Sequence, residues 1–369
     1  MPAPTLTLRQ LNRATLARQM LLRRERTTAL AAIERLAGLQ AQLARPPFVG
    51  LWSRVAGFRR EDLTRLLASR EVVRATAMRG TLHLLSARDY VRLRASLQPM
   101  LDRGMQSILK ERAGALDIPA LVEEARAFFA AEPRTFEELR DHLLELHPGG
   151  DERAMGYAVR THLPLVQVPA DTPWGYPGTT DFAVAEAWLG EAADAGDPAP
   201  HALALRYLAA FGPASVADVQ AWSGLQGLRA TLEDLRPDLL SFRDERGKEL
   251  FDLPDAPRPS PDVPAPARFL PEYDNLIVSR ADARFVAERD RKSIFLPGLR
   301  VLPTFLVDGF AAGTWKVERK KAAAALLLQP FAALPKAARE ELAAEGEALL
   351  RFVESDAASF EVRFARVVN

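Results

Sequence analysis

A short punctuation pattern recurs in this chain at a fixed distance, and it restricts the fold more than any other feature. Pro133, Thr135, Glu138 and Leu139 are answered 80 residues later by Pro213, Ser215, Asp218 and Val219. In each copy a proline closes a turn and a hydroxyl residue is placed to cap a helix. An acid three residues on can reach back to the N–H of that cap. Self-similarity at such a spacing marks a repeated supersecondary unit rather than one continuous core. Helical stretches precede both copies, at residues 121–129 and 204–211. After the first copy, residues 152–161 form a further helix. Strand-like segments at 165–168 and 181–184 then flank a turn-rich tip at 172–179. After the second, residues 239–253 read as a hairpin turning at 244–248.

The same layout starts the chain. Leu8, Leu11, Leu16 and Met20 recur at helical spacing within residues 6–25, and Arg9, Arg13, Arg18, Arg23, Arg24 and Arg26 share that stretch. This predicts an amphipathic helix with an arginine-rich solvent side. Residues 58–67 predict another helix, and residues 72–85 change period to a short hairpin. Helices followed by a small hairpin are the layout of a winged helix. A linker is expected at 194–200, and the proline-rich stretch 254–266 cannot form helix or central strand. Beyond it, an Asp308-Gly309 turn joins strands at 301–307 and 310–317. A strand at 322–328, a helix at 337–353 and a strand at 360–368 follow. The expected architecture is α+β and mainly helical. Tandem winged-helix units occupy 1–118, 119–195 and 200–258, and a small C-terminal α+β domain occupies 266–369.

The 369 residues include no cysteine, which excludes disulfides, thiolate zinc sites and cysteine nucleophiles. No apolar run reaches eighteen residues, so no membrane helix is expected. Residues 1–5 lack the charged head and apolar core of a signal peptide, and the expected compartment is the cytoplasm, at the nucleoid. The net charge of +1 is unevenly placed. Up to Arg112 there are 21 Lys and Arg against 8 Asp and Glu, and the remainder holds 28 against 40. A basic segment on a neutral protein predicts a face for nucleic acid. The alternative is a solvated helix surface that is simply rich in arginine.

The candidate chemistry is sparse. The five histidines show no metal-binding spacing, and no glycine-rich phosphate loop is present, so neither metal nor cofactor is expected. His83 lies beside Arg79 and Thr81 in the first hairpin, an edge suited to phosphate or base, or equally a packed strand histidine. The cluster at 271–275 brings acids and an amide together; its expected role is to cap a turn and tether an interface. Trp174 and Tyr176 sit at the tip of the second hairpin, where they either wedge against DNA or fold back on the hairpin. Gln40 and Gln42 follow a helix that begins after the capping residue Thr28. Arg45 precedes Pro46-Pro47 and is expected to be extended. Side chains two apart share a face of an extended chain. The two amides therefore converge if the helix stops near Leu39.

Taken in order, Gly38-Leu39-Gln40-Ala41-Gln42 with Pro46-Pro47, Met78-Arg79-Gly80-Thr81-Leu82-His83-Leu84, Trp174 with Ala187-Trp188-Leu189-Gly190, Leu270-Pro271-Glu272-Tyr273-Asp274-Asn275-Leu276, and Val307-Asp308-Gly309-Phe310-Ala311-Ala312-Gly313-Thr314-Trp315 span nearly the whole chain. This ordered set resembles the AlkZ-like family of bacterial DNA glycosylases, built on tandem winged helices. The resemblance implies hydrolytic removal of N7-alkylguanine adducts, including bulky or crosslinking lesions, from double-stranded DNA; a monomer is expected. Some relatives serve self-resistance in antibiotic producers. Family members use a Gln-x-Gln or Gln-x-Asp catalytic motif. Gln40 and Gln42 match the first form, which is nearer the narrower, resistance-type branch. Expected DNA contacts are Arg13, Arg45, Arg54, Arg79, Thr81, His83, Trp174 and Tyr176. The competing class is a non-catalytic winged-helix DNA-binding regulator, and a third is a protein-interaction module.

Overall fold

Both capping boxes form. In the computed structural model, which describes residues 3–194 and 200–366, Thr135 Oγ1 accepts from Glu138 N and Glu138 accepts from Thr135 N at the start of the helix Phe136–Leu146. Ser215 and Asp218 do the same for the helix Val216–Ser223. The correspondence continues one residue upstream of each cap. Arg134 and Phe182 exchange backbone hydrogen bonds, and so do Ala214 and Phe251. Each bridge ties the turn before the capped helix to the second strand of the following hairpin. Those hairpins are Leu165–Gln167 with Phe182–Val184, and Leu240–Asp244 with Glu249–Asp252. Most of the linker expected at 194–200, and the end of the final strand, lie outside the described residues.

The first hairpin also forms, from Val72–Thr76 and Leu82–Ser86. It is not a free wing. Leu39–Gln40 pairs with its second strand, and Leu165–Gln167 pairs with its first. One five-stranded sheet results, in the order Leu39–Gln40, Leu82–Ser86, Val72–Thr76, Leu165–Gln167, Phe182–Val184. This sheet runs across the expected boundary at 118/119 and leaves the first hairpin buried between neighbours.

The first helix departs from expectation. It spans Leu8–Arg18, and Met20 at φ +56° turns the chain out of it. Two of its three arginines do not face solvent: Arg13 and Arg18 are 0% and 1% exposed, and only Arg9 is partly open. Arg18 Nη1 reaches Asp252 at 2.6 Å, Arg13 pairs with Asp308, and Arg24 reaches Glu345 at 2.7 Å. Arg54, two helices on, lies 2.8 Å from Asp274, and both are almost wholly buried. The basic first third and the acidic remainder are thus partly complementary halves of one interior. Charges removed from water must be paired, and here the pairs join segments more than 200 residues apart.

The C-terminal region is a mixed sheet in the order Ser359–Phe364, Ala323–Pro330, Phe310–Lys320, Thr304–Val307, Arg268–Leu270. The helix Lys336–Val353 covers it with Leu342, Leu349, Leu350 and Val353. Gly346 makes this close approach possible, since a Cβ there would stand 2.8 Å from Leu326 Cδ2. Among the described residues, no helix is long and apolar enough to cross a membrane.

Candidate active site

The helix Ala29–Arg35 stops before the two glutamines. Ala37 at φ +54° and Gly38 at φ +87° turn the chain. Gly38 is required twice over: its backbone is left-handed, and a Cβ would stand 2.5 Å from Leu85 Cδ2. Leu39–Gln40 then lies against Leu84 and His83. Ala41 N donates to Leu82 O at 2.7 Å. The ladder ends there, and the Gln42 side chain continues it: Gln42 Oε1 accepts from Leu82 N at 3.0 Å. Arg45 is helical, at φ −70° and ψ −41°, rather than extended. The steric bias before proline is outweighed because the Arg45 carbonyl accepts from Phe48 N at 3.1 Å and opens the helix Pro46–Trp52.

The amide of Gln40 is buried, 8% exposed, whereas Gln42 is exposed. Gln40 Oε1 accepts from Arg79 Nη2 at 2.7 Å. Arg79 and a backbone N–H are donors only, so in both glutamines the atom facing them is the oxygen. Both side chains are therefore oriented by groups of the first hairpin, and neither is bonded to a carboxylate.

Arg79 occupies the hairpin turn in the left-handed region, at φ +57°, followed by Gly80 at φ +67°. Gly224 backs it, since a Cβ at 224 would stand 3.1 Å from Arg79 Cα. The guanidinium also donates to Trp222 O at 2.6 Å and, at 3.4 Å, to Asn275 Oδ1. Asn275 is held in turn by donating Nδ2–H to Gly38 O at 3.1 Å. His83 Nδ1 donates to Thr81 O at 3.0 Å, which leaves the Nε2 lone pair facing Arg79 at 3.5 Å. Burial, and then the Arg79 charge, push His83 down to about 3, so it is neutral. Burial lowers Arg79 to about 10, still charged at neutral pH, and among the described residues no carboxylate contacts it. A second arginine grips the backbone: Arg74 Nε donates to Ala41 O at 2.8 Å and Nη2 to Gln42 O at 3.2 Å. It lies 4.8 Å over the Tyr176 ring, and burial lowers its pKa too.

Of the expected site residues, Gln40, Gln42, Arg79, Thr81 and His83 come together. The other expected DNA contacts lie away from this group, and several of the expected contacts, His83 among them, are buried. Arg13 and Arg54 are buried on Asp308 and Asp274. Arg45 is half-buried, 3.9 Å from Glu354. His83 is fully buried and cannot touch a base. Trp174 folds back against Phe48, at 5.2 Å between centroids, with Arg60 4.2 Å over its ring. Tyr176 is buried at 6% exposure. Arg74 and Asn275 were missed as site residues. The signal for Arg74 was a lone charge inside the apolar run Val72-Val73-Arg74-Ala75. Asn275 follows Asp274, which caps the helix Asn275–Val278 and tethers Arg54, as expected of that cluster.

A family model described as DNA glycosylase AlkZ-like matches residues 33–352, and the chain belongs to this family of DNA glycosylases. A relative from Streptomyces sahachiroi, described as an interstrand DNA cross-link repair glycosylase, is 25% identical over 350 residues, spanning 85% of this chain and 88% of the relative. The solved structure of Streptomyces sahachiroi DNA glycosylase AlkZ shares the fold, with a TM-score of 0.79 at 20% identity, covering 98% of this chain and 100% of that one.

Proposed function

We propose that this enzyme is a monofunctional glycosylase that hydrolyses the N-glycosidic bond of N7-alkylguanine in duplex DNA, bulky and crosslinking adducts included, with Gln40 and Gln42 as its catalytic pair. The cross-link substrate is carried from the name of the Streptomyces sahachiroi relative. The observation that carries the reading is the pair of amides oriented by one hairpin, Gln40 buried and Gln42 at the protein surface. A carboxylate pair is the usual equipment for glycosidic cleavage. N7-alkylation changes that demand, because the base is already cationic and departs without being protonated. What remains is to place a water near C1′ and to complement shifting charge, which preorganised neutral dipoles can do. Gln42 is exposed and keeps a second lone pair on Oε1, suited to holding that water. A crosslinked guanine is tethered to the opposite strand and resists full extrusion into a closed pocket. A catalytic amide on the surface meets such a lesion without it.

Residues 1–118, 119–195 and 200–258 are read as tandem winged helices, and the paired bridges Arg134 to Phe182 and Ala214 to Phe251 support this for the second and third units. The enzyme is proposed to act as a monomer, at the nucleoid, and the Gln-x-Gln form favours a role in antibiotic self-resistance. The test is incubation with duplex DNA carrying N7-methylguanine, followed by mild alkali to reveal abasic sites. Wild type should release the base, and Gln40→Ala and Gln42→Ala should each lose about a hundredfold in single-turnover rate, the scale of removing one preorganised donor. A sequence-specific footprint with no base release would establish the regulator instead. Near wild-type excision by both variants would remove the glutamines from the mechanism.

A further inference from the structure

The glutamine pair looks symmetric in the sequence, but its two members are held in different ways. Gln42 reaches its partner with an exposed side chain and meets a neutral N–H. Gln40 is buried and meets a cation. A guanidinium 2.7 Å from Oε1 draws electron density toward itself, so this oxygen is poorly placed to stabilise positive charge growing on a deoxyribose. The same contact turns the other end of the amide, Nε2, away from Arg79. The surroundings make that orientation hard to reverse. Flipping the amide would set an NH₂ group against a guanidinium, donor against donor. Arg79 cannot move aside easily, because Trp222 O, Asn275 Oδ1 and the His83 Nε2 lone pair hold it, with Gly224 against its backbone. It also sits in a left-handed conformation that is costly for a long side chain and persists only where neighbours enforce it.

We propose that Arg79 is a positioning residue that fixes Gln40 as a hydrogen-bond donor, so that Gln40 Nε2–H serves an acceptor edge of the departing alkylguanine. The inference rests on the reading of Gln40 as catalytic, and it gives the two amides different tasks. When the C1′–N9 bond breaks, its electron pair moves onto the purine and cancels the ring's positive charge. The ring nitrogen and oxygen acceptors gain density as this happens, and a donor aimed there binds the transition state better than the ground state. Water supplies the new bond at C1′ and loses a proton to solvent. Gln42, with its accessible oxygen, is left to hold that water. The two amides then have opposite polarity: one donates to the leaving group, the other accepts from the nucleophile.

Gln40→Glu separates donor from acceptor. Its carboxylate is isosteric and still accepts from Arg79, so the lock is kept while the N–H is lost and a negative charge is added. The readouts are single-turnover release of N7-methylguanine at saturating enzyme, affinity for undamaged duplex, and melting temperature. Gln40→Glu should fall as far as Gln40→Ala, about a hundredfold, the scale of losing one preorganised donor. Arg79→Lys and Arg79→Ala should fall about tenfold, with affinity for undamaged duplex within about twofold of wild type, as expected for misorientation of a catalytic group. Arg79→Ala placed in the Gln40→Glu background should cost nothing further, because a residue acting through another is non-additive with it. Gln40→Glu within about threefold of wild type overturns the donor assignment. An additive loss, or a weaker salt dependence of DNA binding in the Arg79 variants, makes Arg79 a phosphate contact instead and overturns the positioning role. If Gln40→Ala itself remains active, the catalytic reading fails, which the other variants cannot mimic. Should Arg79→Ala not fold, Arg79→Lys carries the same comparison with the charge retained.

Discussion

Two populations of arginine lie wholly or partly buried in this protein, and they are neutralised differently. Arg18 meets Asp252, Arg54 meets Asp274, and Arg280 and Arg284 share Asp282. Each of these cations is matched by a carboxylate drawn from a distant or neighbouring segment. Among the described residues, Arg74 and Arg79 have only neutral partners: the carbonyls of Ala41, Gln42 and Trp222, the amides of Gln40 and Asn275, and a histidine lone pair. A carboxylate beside Gln40 would compete for Arg79 and place a formal negative charge against the reacting nucleotide's phosphates. Neutral acceptors hold the guanidinium in place while leaving its charge in the site. Carboxylate pairing therefore marks arginines that join the fold. Its absence alone does not mark the site, since buried Arg94 also meets neutral acceptors, Gln98 Oε1 and Thr161 O. What sets Arg74 and Arg79 apart is that their neutral partners include Gln40 and Gln42.

The largest expected effect lies in the first population. Asp252 accepts from Arg18 through both oxygens and also from Arg258 at 2.6 Å. Asp252→Ala leaves Arg18 buried without a counter-charge and should cost about 3–5 kcal/mol. Urea denaturation would show the lowered midpoint, while the excision rate per folded molecule should be unchanged. A variant of normal stability would break the comparison. In the second population the balance reverses. Arg74→Lys keeps a cation but cannot bond the carbonyls of Ala41 and Gln42 together. A displacement of Gln42 by a fraction of an ångström should lower single-turnover excision by about tenfold to a hundredfold. Stability should fall by only about 1–2 kcal/mol, the scale of hydrogen bonds left unmade. Equal and large losses of stability in both variants would show that the distinction has no functional content.

These populations differ in how far the sequence revealed them. The capping boxes at Thr135 and Ser215 and the Asp308-Gly309 hairpin were legible because their partners are within a few residues. The stop of the helix before Gln40 was legible too, from local signals. The burial of Arg13, Arg18 and Arg54 was not. The periodicity around Arg13 and Arg18 matches that of a solvent face, and the acids that take all three inward lie more than 200 residues away. The charge skew was read as an external binding face when much of it is internal complementarity. Trp174 and Tyr176 misled for the same reason: a turn-rich tip looks exposed until Phe48, Phe352 and Arg74 are brought against it. At the site, Gln40 and Gln42 were legible, and Arg74 and Asn275 were not, because sheet pairing rather than sequence spacing brings them together.

The smallest effect concerns His83, and it tests whether Arg79 needs a neutral neighbour. His83 is fully buried, with Nδ1–H committed to Thr81 O and Nε2 facing a guanidinium. In the unfolded chain it titrates near 6.5, and in the folded protein only near 3. Between those values the unfolded state binds the extra proton, so its contribution to stability is complete above about pH 6.5 and is lost as the pH falls toward 3. From pH 6.5 to 5 this single group should remove about 2 kcal/mol, at roughly 1.4 kcal/mol per pH unit. Urea midpoints at pH 7.5 and 5 should show that loss in wild type and a smaller one in His83→Asn, whose amide can still donate to Thr81 O. Excision itself should be flat between about pH 6 and 8.5, because His83 is already neutral and Arg79, near 10, is still charged. An excision rate that rises through pH 6.5 in wild type and not in His83→Asn would mean that His83 charges in the native state. Arg79 would then tolerate a cationic neighbour, and the neutrality of its partners would no longer distinguish it from the carboxylate-paired arginines.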